Sequence, residues 1–306
     1  MRNQFIASLV EYSRSDSSTF LIVGDLGFGV IEPFADEFPD RILNAGVAEQ
    51  NMLSMAAGIA STGKTVFVYS IANFPSLRAL EQVRNDIAYH QLPVGIVSVG
   101  AGLSYGTLGY SHHAVEDVSV MRAIPGLDVY CPADTFEVET VLSSFFQSRK
   151  PAYIRLGKGG ENPVHNSAPG SIQAGIALRP TTGEFLVLST GAITASVIAA
   201  LDELEGEGIG RFSHYSVPAI SAIDLEALQA RSRKAIITVE EHSTAGGFGS
   251  LVLEQLSKSS IFGPTLMIGI KNTKLSLVGS HGYLAAQHEL DPKGIASRVK
   301  AFLSTR

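Results

Sequence analysis

The chain has 306 residues, 45% hydrophobic and 17% charged, the balance of a compact folded protein with room for one large or two ordinary domains, not of a disordered one. Its formal net charge of −6 comes with no Lys/Arg cluster, which argues against nucleic acid or an anionic membrane as partner. One cysteine, Cys131, excludes an intrachain disulfide and a multi-cysteine zinc site.

The apolar stretch at 5–10 is too short and too interrupted for a signal peptide. No apolar run approaches the ~18 residues of a membrane span, so a soluble, cytoplasmic protein is expected. Short apolar runs at 20–23, 65–69, 94–99, 127–130 and 152–156 then read as buried strands, with a further strand-like stretch at 41–43. The segments at 48–61, 76–89, 115–123 and 136–147 between them read as helices. Strands alternating with helices predict an α/β fold, a parallel sheet covered on both faces. The stretch 157–170, GKGGENPVHNSAPG, has no periodicity and reads as a linker. Alternation resumes with strands at 185–189, 211–217, 235–240 and 265–270. Helices follow at 192–204, after Gly249 and at 292–303. Two α/β domains are expected, 1–165 and 174–306.

The segment Asn44-Ala-Gly-Val-Ala-Glu-Gln-Asn51 places Glu49 in the first turn of a helix, where the dipole favours a carboxylate. Read alone, Glu49 is a helix-start acid. Asp25 is a strand-end acid before a Gly-rich turn. Tyr69 and Phe74 read as core aromatics, Arg78 as a solvated helix arginine, and Arg155 as a strand-end arginine suited to an oxyanion or a salt bridge. The loop 100–111 is too glycine-rich for ordinary core, and long loops after strands often carry function. His112 and His113, which follow it, diverge if the backbone is extended and make a poor metal pair. No metal-ligand set is expected.

Four segments resemble the transketolase and deoxyxylulose-phosphate synthase superfamily, in its order and at similar spacing. NAGVAEQNMLSMAAGIASTGKTVFVY resembles its glutamate motif, Gly-Ile-x-Glu-(Gln/His). The others are Leu80 to Tyr89, LEQVRNDIAY; Gly109 to His113, GYSHH; and Met121 to Gly126, MRAIPG. The resemblance covers most of 20–160, and Glu240 to Gly249, EEHSTAGGFG, extends it into the second block. It implies a pyrimidine-binding thiamine diphosphate domain followed by a smaller α/β transketolase C-terminal domain. It also implies a role for Glu49: hydrogen-bonding the cofactor's aminopyrimidine ring nitrogen and so favouring the tautomer that takes the thiazolium proton.

By the same resemblance Asp25 and Leu26 lie beside the pyrimidine and Phe74 stacks on it, with Tyr69 a second candidate. Arg78 matches an arginine of several relatives. His112, with His113, faces substrate, and Arg155 matches an arginine that binds substrate phosphate. Two positions depart from the pattern. Leu108 stands for an acid, and Gly100 for a histidine, that normally face sugar hydroxyls or phosphate, which implies a non-standard sugar.

The superfamily's Gly-Asp-Gly motif for Mg2+ and diphosphate is missing; Gly24-Asp25 is followed by Leu26. The expectation is therefore a beta-type subunit of a split transketolase. A separate diphosphate-binding subunit would hold Mg2+ in an α2β2 assembly with self-association of this chain, transferring a two-carbon ketol unit between small sugar substrates. The second block is expected to serve packing and dimer contacts, with His242 and His281 as structural or surface residues. The alternatives are a deoxyxylulose-phosphate-synthase-like or 2-oxo-acid dehydrogenase beta-type subunit, or a non-catalytic scaffold.

Overall fold

The computed structural model describes residues 1–261 and 263–305. The first half runs α1 (Arg2–Ser15), β1 (Thr19–Val23), α2 (Glu32–Glu37), β2 (Ile42–Asn44), α3 (Glu49–Ala60), β3 (Thr65–Ile71) and α4 (Leu80–Gln82). It continues through β4 (Val94–Val99), α5 (Asp117–Met121), β5 (Asp128–Tyr130), α6 (Thr135–Ser148) and β6 (Ala152–Leu156). Its six strands form one sheet in the order β2-β1-β3-β4-β6-β5, and every pairing is parallel.

Successive strand residues point to opposite faces, and both faces are covered. Ile22, Val66, Val68 and Ile96 pack with Met52 and Leu53 of α3. Leu21, Val23, Phe67 and Val97 pack on the other side with Phe5 and Leu9 of α1 and Phe145 of α6. Burial on both sides explains why these strands are continuous apolar runs rather than alternating ones.

The apolar stretch at 5–10 belongs to a full helix, which its rejection as a signal peptide did not anticipate. Phe5, Ile6, Leu9 and Val10 form one buried stripe of α1 at helical spacing, and the Phe5 ring meets Phe67 edge-on at 5.7 Å. The helix expected at 76–89 is irregular. Wide π-type turns at Phe74–Arg78 and Val83–Ala88 flank α4, a form often found at functional sites.

No helix or strand lies between Leu156 and Ile176. The second half then contains β7 (Ile176–Ala177), β8 (Phe185–Thr190), α7 (Thr194–Gly206), β9 (Phe212–Ser216), β10 (Ala235–Ser243) and α8 (Phe248–Lys258), followed by β11 (Thr265–Ile270), α9 (His281–Gln287) and α10 (Pro292–Ser304). This sheet has the order β11-β10-β8-β9-β7. It is mixed, because the two-residue edge strand β7 runs antiparallel to β9. The halves are joined by backbone bonds from Cys131 N–H to the Pro218 carbonyl (2.7 Å) and from Gly191 N–H to the Cys131 carbonyl (2.9 Å). No helix among the described residues is long and apolar enough to cross a membrane.

Candidate active site

β2 ends at Asn44, the backbone turns through Gly46 at φ 71°, and α3 starts at Glu49 with no side-chain cap. The Glu49 carboxylate thus sits where the helix's first N–H groups concentrate positive potential. Its side chain is 1% exposed, and Oε2 accepts a 2.6 Å hydrogen bond from Arg78 Nη1. Arg78, itself 47% exposed, is therefore both a solvated side chain and the counter-ion of a buried acid. No hydrogen bond reaches Glu49 Oε1 from any described residue.

The Arg78 guanidinium lies over the Phe74 ring at 4.4 Å, and Phe74 meets the His112 ring at 5.3 Å in a T-shaped contact. Asn73 Nδ2 donates to the Ser111 carbonyl at 2.8 Å, tying the Phe74 turn to the His112 loop. Four residues singled out in the sequence, Glu49, Arg78, Phe74 and His112, thereby form one contiguous group.

Asp25 closes the neighbouring turn in left-handed geometry (φ 55°). Its N–H donates to Asn44 Oδ1 and its Oδ1 accepts from Asn44 Nδ2, each at 3.0 Å. Asn44 Oδ1 also accepts from Gly46 N–H at 3.0 Å, so Asn44 connects the Asp25 turn to the turn that launches Glu49. Only its place at the head of the glutamate motif marks this role in the sequence. Leu26 is partly buried against the α1 side of the sheet. Tyr69 is a core residue, 1% exposed and stacked on Phe5; burial drives its phenol well above its ordinary pKa.

The two histidines diverge. His112 is partly exposed, with Nδ1 3.0 Å from Ser111 Oγ. His113 is buried, with Nε2 3.5 Å from the Gly106 carbonyl, and burial lowers its pKa. Gly100 (φ 87°) has no room for a side chain, because the Tyr105 ring occupies the space a Cβ would need.

Arg155 lies apart from this group. It is 4% exposed and binds Asp117 through Nε at 2.7 Å. Its Nη2 donates to the carbonyls of Ala114 (2.7 Å) and Glu241 (3.1 Å). Sequence reasoning missed Asp117 and Glu241. Both are fully formed ionic partners. Glu241 Oε1 accepts the Leu103 N–H at 2.7 Å, and its carboxylate pairs with His281 Nε2 at 2.9 Å. The attraction of Glu241 raises His281 to about 9. His242 is buried beside Asp117 and Glu240, and burial pushes it down to about 4.

Through Arg78, the Glu49 carboxylate, the Phe74 ring and the His112 imidazole are linked into one group that offers an acceptor, an aromatic ring and a polar ring. Among the described residues, no three His, Cys, Asp or Glu side chains converge as a metal site.

Residues 1–161 match the transketolase pyrimidine-binding domain, and residues 176–301 match the transketolase C-terminal domain. The chain is 34% identical over 302 residues to a putative transketolase C-terminal section from Methanocaldococcus jannaschii, covering 98% of this chain and 95% of that one. It is 31% identical over 306 residues to one of the subunits of an apulose-4-phosphate transketolase from Phocaeicola vulgatus, covering 99% and 97%. A solved split-gene transketolase, an inactive beta4 tetramer, superimposes with a TM-score of 0.87 at 31% identity over 99% of this chain and 97% of that one. With both halves of the fold matched in order, the chain belongs to the transketolase family and carries its pyrimidine-binding and C-terminal domains.

Proposed function

We propose that this chain is the beta-type subunit of a thiamine-diphosphate-dependent transketolase, transferring a two-carbon ketol unit between sugar or sugar-phosphate substrates. A separate diphosphate-binding subunit would complete the site and hold Mg2+, in an α2β2 assembly. The observation that carries this reading is the buried Glu49 carboxylate, with one oxygen held by Arg78, whose guanidinium lies over the Phe74 ring that in turn meets His112.

Thiamine diphosphate, when bound, supplies a thiazolium carbon that acts as the nucleophile once deprotonated. Glu49 Oε1 would accept the hydrogen bond of the protonated pyrimidine nitrogen. Arg78 keeps the carboxylate oriented and its charge compensated. Phe74 presents a ring face to the pyrimidine, with Asp25 and Leu26 at its edge. His112 would donate to a substrate oxygen or relay a proton near neutral pH, and His113 braces the same loop from within. The relative from Phocaeicola vulgatus, named for apulose 4-phosphate, supports a sugar phosphate as the substrate class. The loss of ordinary polar positions at Gly100 and Leu108 points to a non-standard sugar within that class.

The test is reconstitution with the diphosphate-binding partner, followed by Glu49→Gln. Turnover is expected to fall by about 10²–10⁴-fold, the usual worth of a proton-transfer residue, with the assembly intact. Unchanged turnover would remove the mechanism. Full turnover by this chain without a second polypeptide would remove the split-enzyme reading.

A further inference from the structure

Backbone and neighbouring rings fix the His112 imidazole from several sides. His112 ends a 3-10 turn, Tyr110–His112, that follows Gly109 at φ 78°, and its N–H donates to the Gly109 carbonyl at 3.0 Å. The Phe74 ring meets the imidazole at 5.3 Å and an interplanar angle of 72°. The Tyr105 ring approaches it at 6.5 Å and 60°. Tyr105 is itself wedged. It fills the space that a Cβ at Gly100 would need, and the Lys158 ammonium lies 4.7 Å from its ring centroid.

Two polar side chains that sequence reasoning did not single out complete the arrangement. Asn73 Nδ2 donates to the Ser111 carbonyl at 2.8 Å, and Ser111 Oγ lies 3.0 Å from His112 Nδ1. Asn73 immediately precedes the π-type turn Phe74–Arg78. One amide thus ties the turn that flanks the imidazole to the residue whose hydroxyl reaches it. Asn73 Oδ1 is buried with no donor among the described residues. The Ser111 carbonyl is the only described group that the Asn73 side chain engages.

A neutral imidazole carries one proton, and the bond made by one ring nitrogen decides which of the two holds it. Ser111 Oγ has no hydrogen-bond partner among the described residues other than His112 Nδ1. Its hydrogen therefore has one acceptor in the protein, the Nδ1 lone pair, and a hydroxyl rotates to reach it. The imidazole proton then sits on Nε2. No described residue hydrogen-bonds Nε2, so it remains the ring's unspent donor.

We propose that Ser111 and Asn73 are positioning residues for His112: Ser111 sets the Nε2–H tautomer, and Asn73 holds Ser111 in place to do so. Only the consequence rests on the transketolase reading. With the proton on Nε2, His112 meets a substrate oxygen as a hydrogen-bond donor instead of taking a proton from it.

The full chain is labelled with nitrogen-15 histidine, and its imidazoles are followed by two-bond proton–nitrogen NMR at about pH 8.5, where an ordinary imidazole of pKa about 6.5 is neutral. The His112 signals are those lost in His112→Gln. An acceptor-type Nδ1 shift and an N–H-type Nε2 shift are expected. Loss of one ordinary hydrogen bond changes a population ratio about fivefold, and Ser111→Ala should lower the ratio of Nε2–H to Nδ1–H forms by about that factor. Asn73→Ala should lower it in the same direction. Ser111→Thr keeps the hydroxyl and should preserve the ratio. A predominantly Nδ1–H ring in the unmutated chain, an unchanged ratio in either folded alanine variant, or failure of Ser111→Thr to preserve it would each overturn the proposal. These readouts need neither substrate nor partner subunit. The reconstituted Glu49→Gln enzyme tests the catalytic reading separately, so either can fail alone.

Discussion

Arg155→Ala asks how much the buried ionic cluster between the domains contributes to stability. Asp117 is fully buried. It accepts from the Tyr153 hydroxyl at 2.7 Å and from Arg155 Nε at 2.7 Å, with His242 Nε2 at 3.7 Å. Burial pushes the Asp117 carboxyl up, but Arg155 and His242 together hold it below its ordinary value. Without the guanidinium, a buried carboxylate keeps one hydroxyl donor and a distant imidazole. Breaking a buried pair in this one-sided way costs about 3–5 kcal/mol, whereas replacing both partners with apolar groups is often neutral.

The carbonyls of Ala114 and Glu241 also lose their donor, at about 1 kcal/mol each. Partial protonation of Asp117 offsets some of this, leaving an expected loss near 4 kcal/mol. With an m-value of about 3 kcal/mol/M, the urea midpoint should fall by more than about 1 M. Circular dichroism and tyrosine fluorescence serve as probes, the chain having no tryptophan; coincident transitions would license two-state treatment. Arg155→Met combined with Asp117→Leu should recover most of the loss. A loss below about 1 kcal/mol for Arg155→Ala, or a double variant no better than the single, would refute the argument from one-sided burial.

The His281–Glu241 pair predicts a pH dependence. His281 has its folded pKa raised to about 9 from 6.5, so its stabilisation is complete below 6.5 and is lost as pH rises through about 9. The ring is 48% exposed, and solvent screening limits the effect to about 1 kcal/mol; the urea midpoint should decline across that window in the unmutated protein and stay flat in His281→Gln. Gly102 has φ 61°, and a Cβ there would overlap the Glu241 carboxylate. Gly102→Ala should therefore cost more than about 1 kcal/mol, read as a lower melting temperature. Gly95→Ala would place its Cβ 2.6 Å from the fully buried Phe67 ring. Overpacking of this kind costs about 1–3 kcal/mol, and Gly95→Ala with Phe67→Leu should recover part of it.

The first sheet was legible because its central strands are buried on both faces, so that Val94–Val99 is a run with no polar face to interrupt it. The stripe of α1 was present in the sequence, but it rests on only four apolar residues, Phe5, Ile6, Leu9 and Val10, too few for the helical period to stand out. β7 has only two residues and carries no period. Glu49 was legible as an acid in a helix's first turn and, by resemblance, as a cofactor residue. Its pairing with Arg78 was not, because 29 residues and a π-type turn separate the two. Asp117 and Glu241 escaped notice for a related reason. An acid at a helix start or a strand end looks solvated until the fold brings a guanidinium or an imidazole to it.

The second domain bears directly on the geometry of the His112 loop, beyond the packing role its sequence suggested. Glu241 of β10 holds the Leu103 N–H, and Gly279 N–H donates to the Gly106 carbonyl at 3.2 Å. From the Glu49 side, Asn73 holds the Ser111 carbonyl and Phe74 abuts His112. A glycine-rich loop left free would lose about 1–2 kcal/mol of backbone entropy for each residue ordered by a ligand. Here contacts from two domains have already fixed much of the segment, so less of that cost remains to be met when a ligand reaches His112. The same contacts mean that displacing Glu241 would move the Leu103 anchor. Glu241, which pairs with His281 and holds the loop that carries His112, is therefore one physical route by which the domains can influence each other.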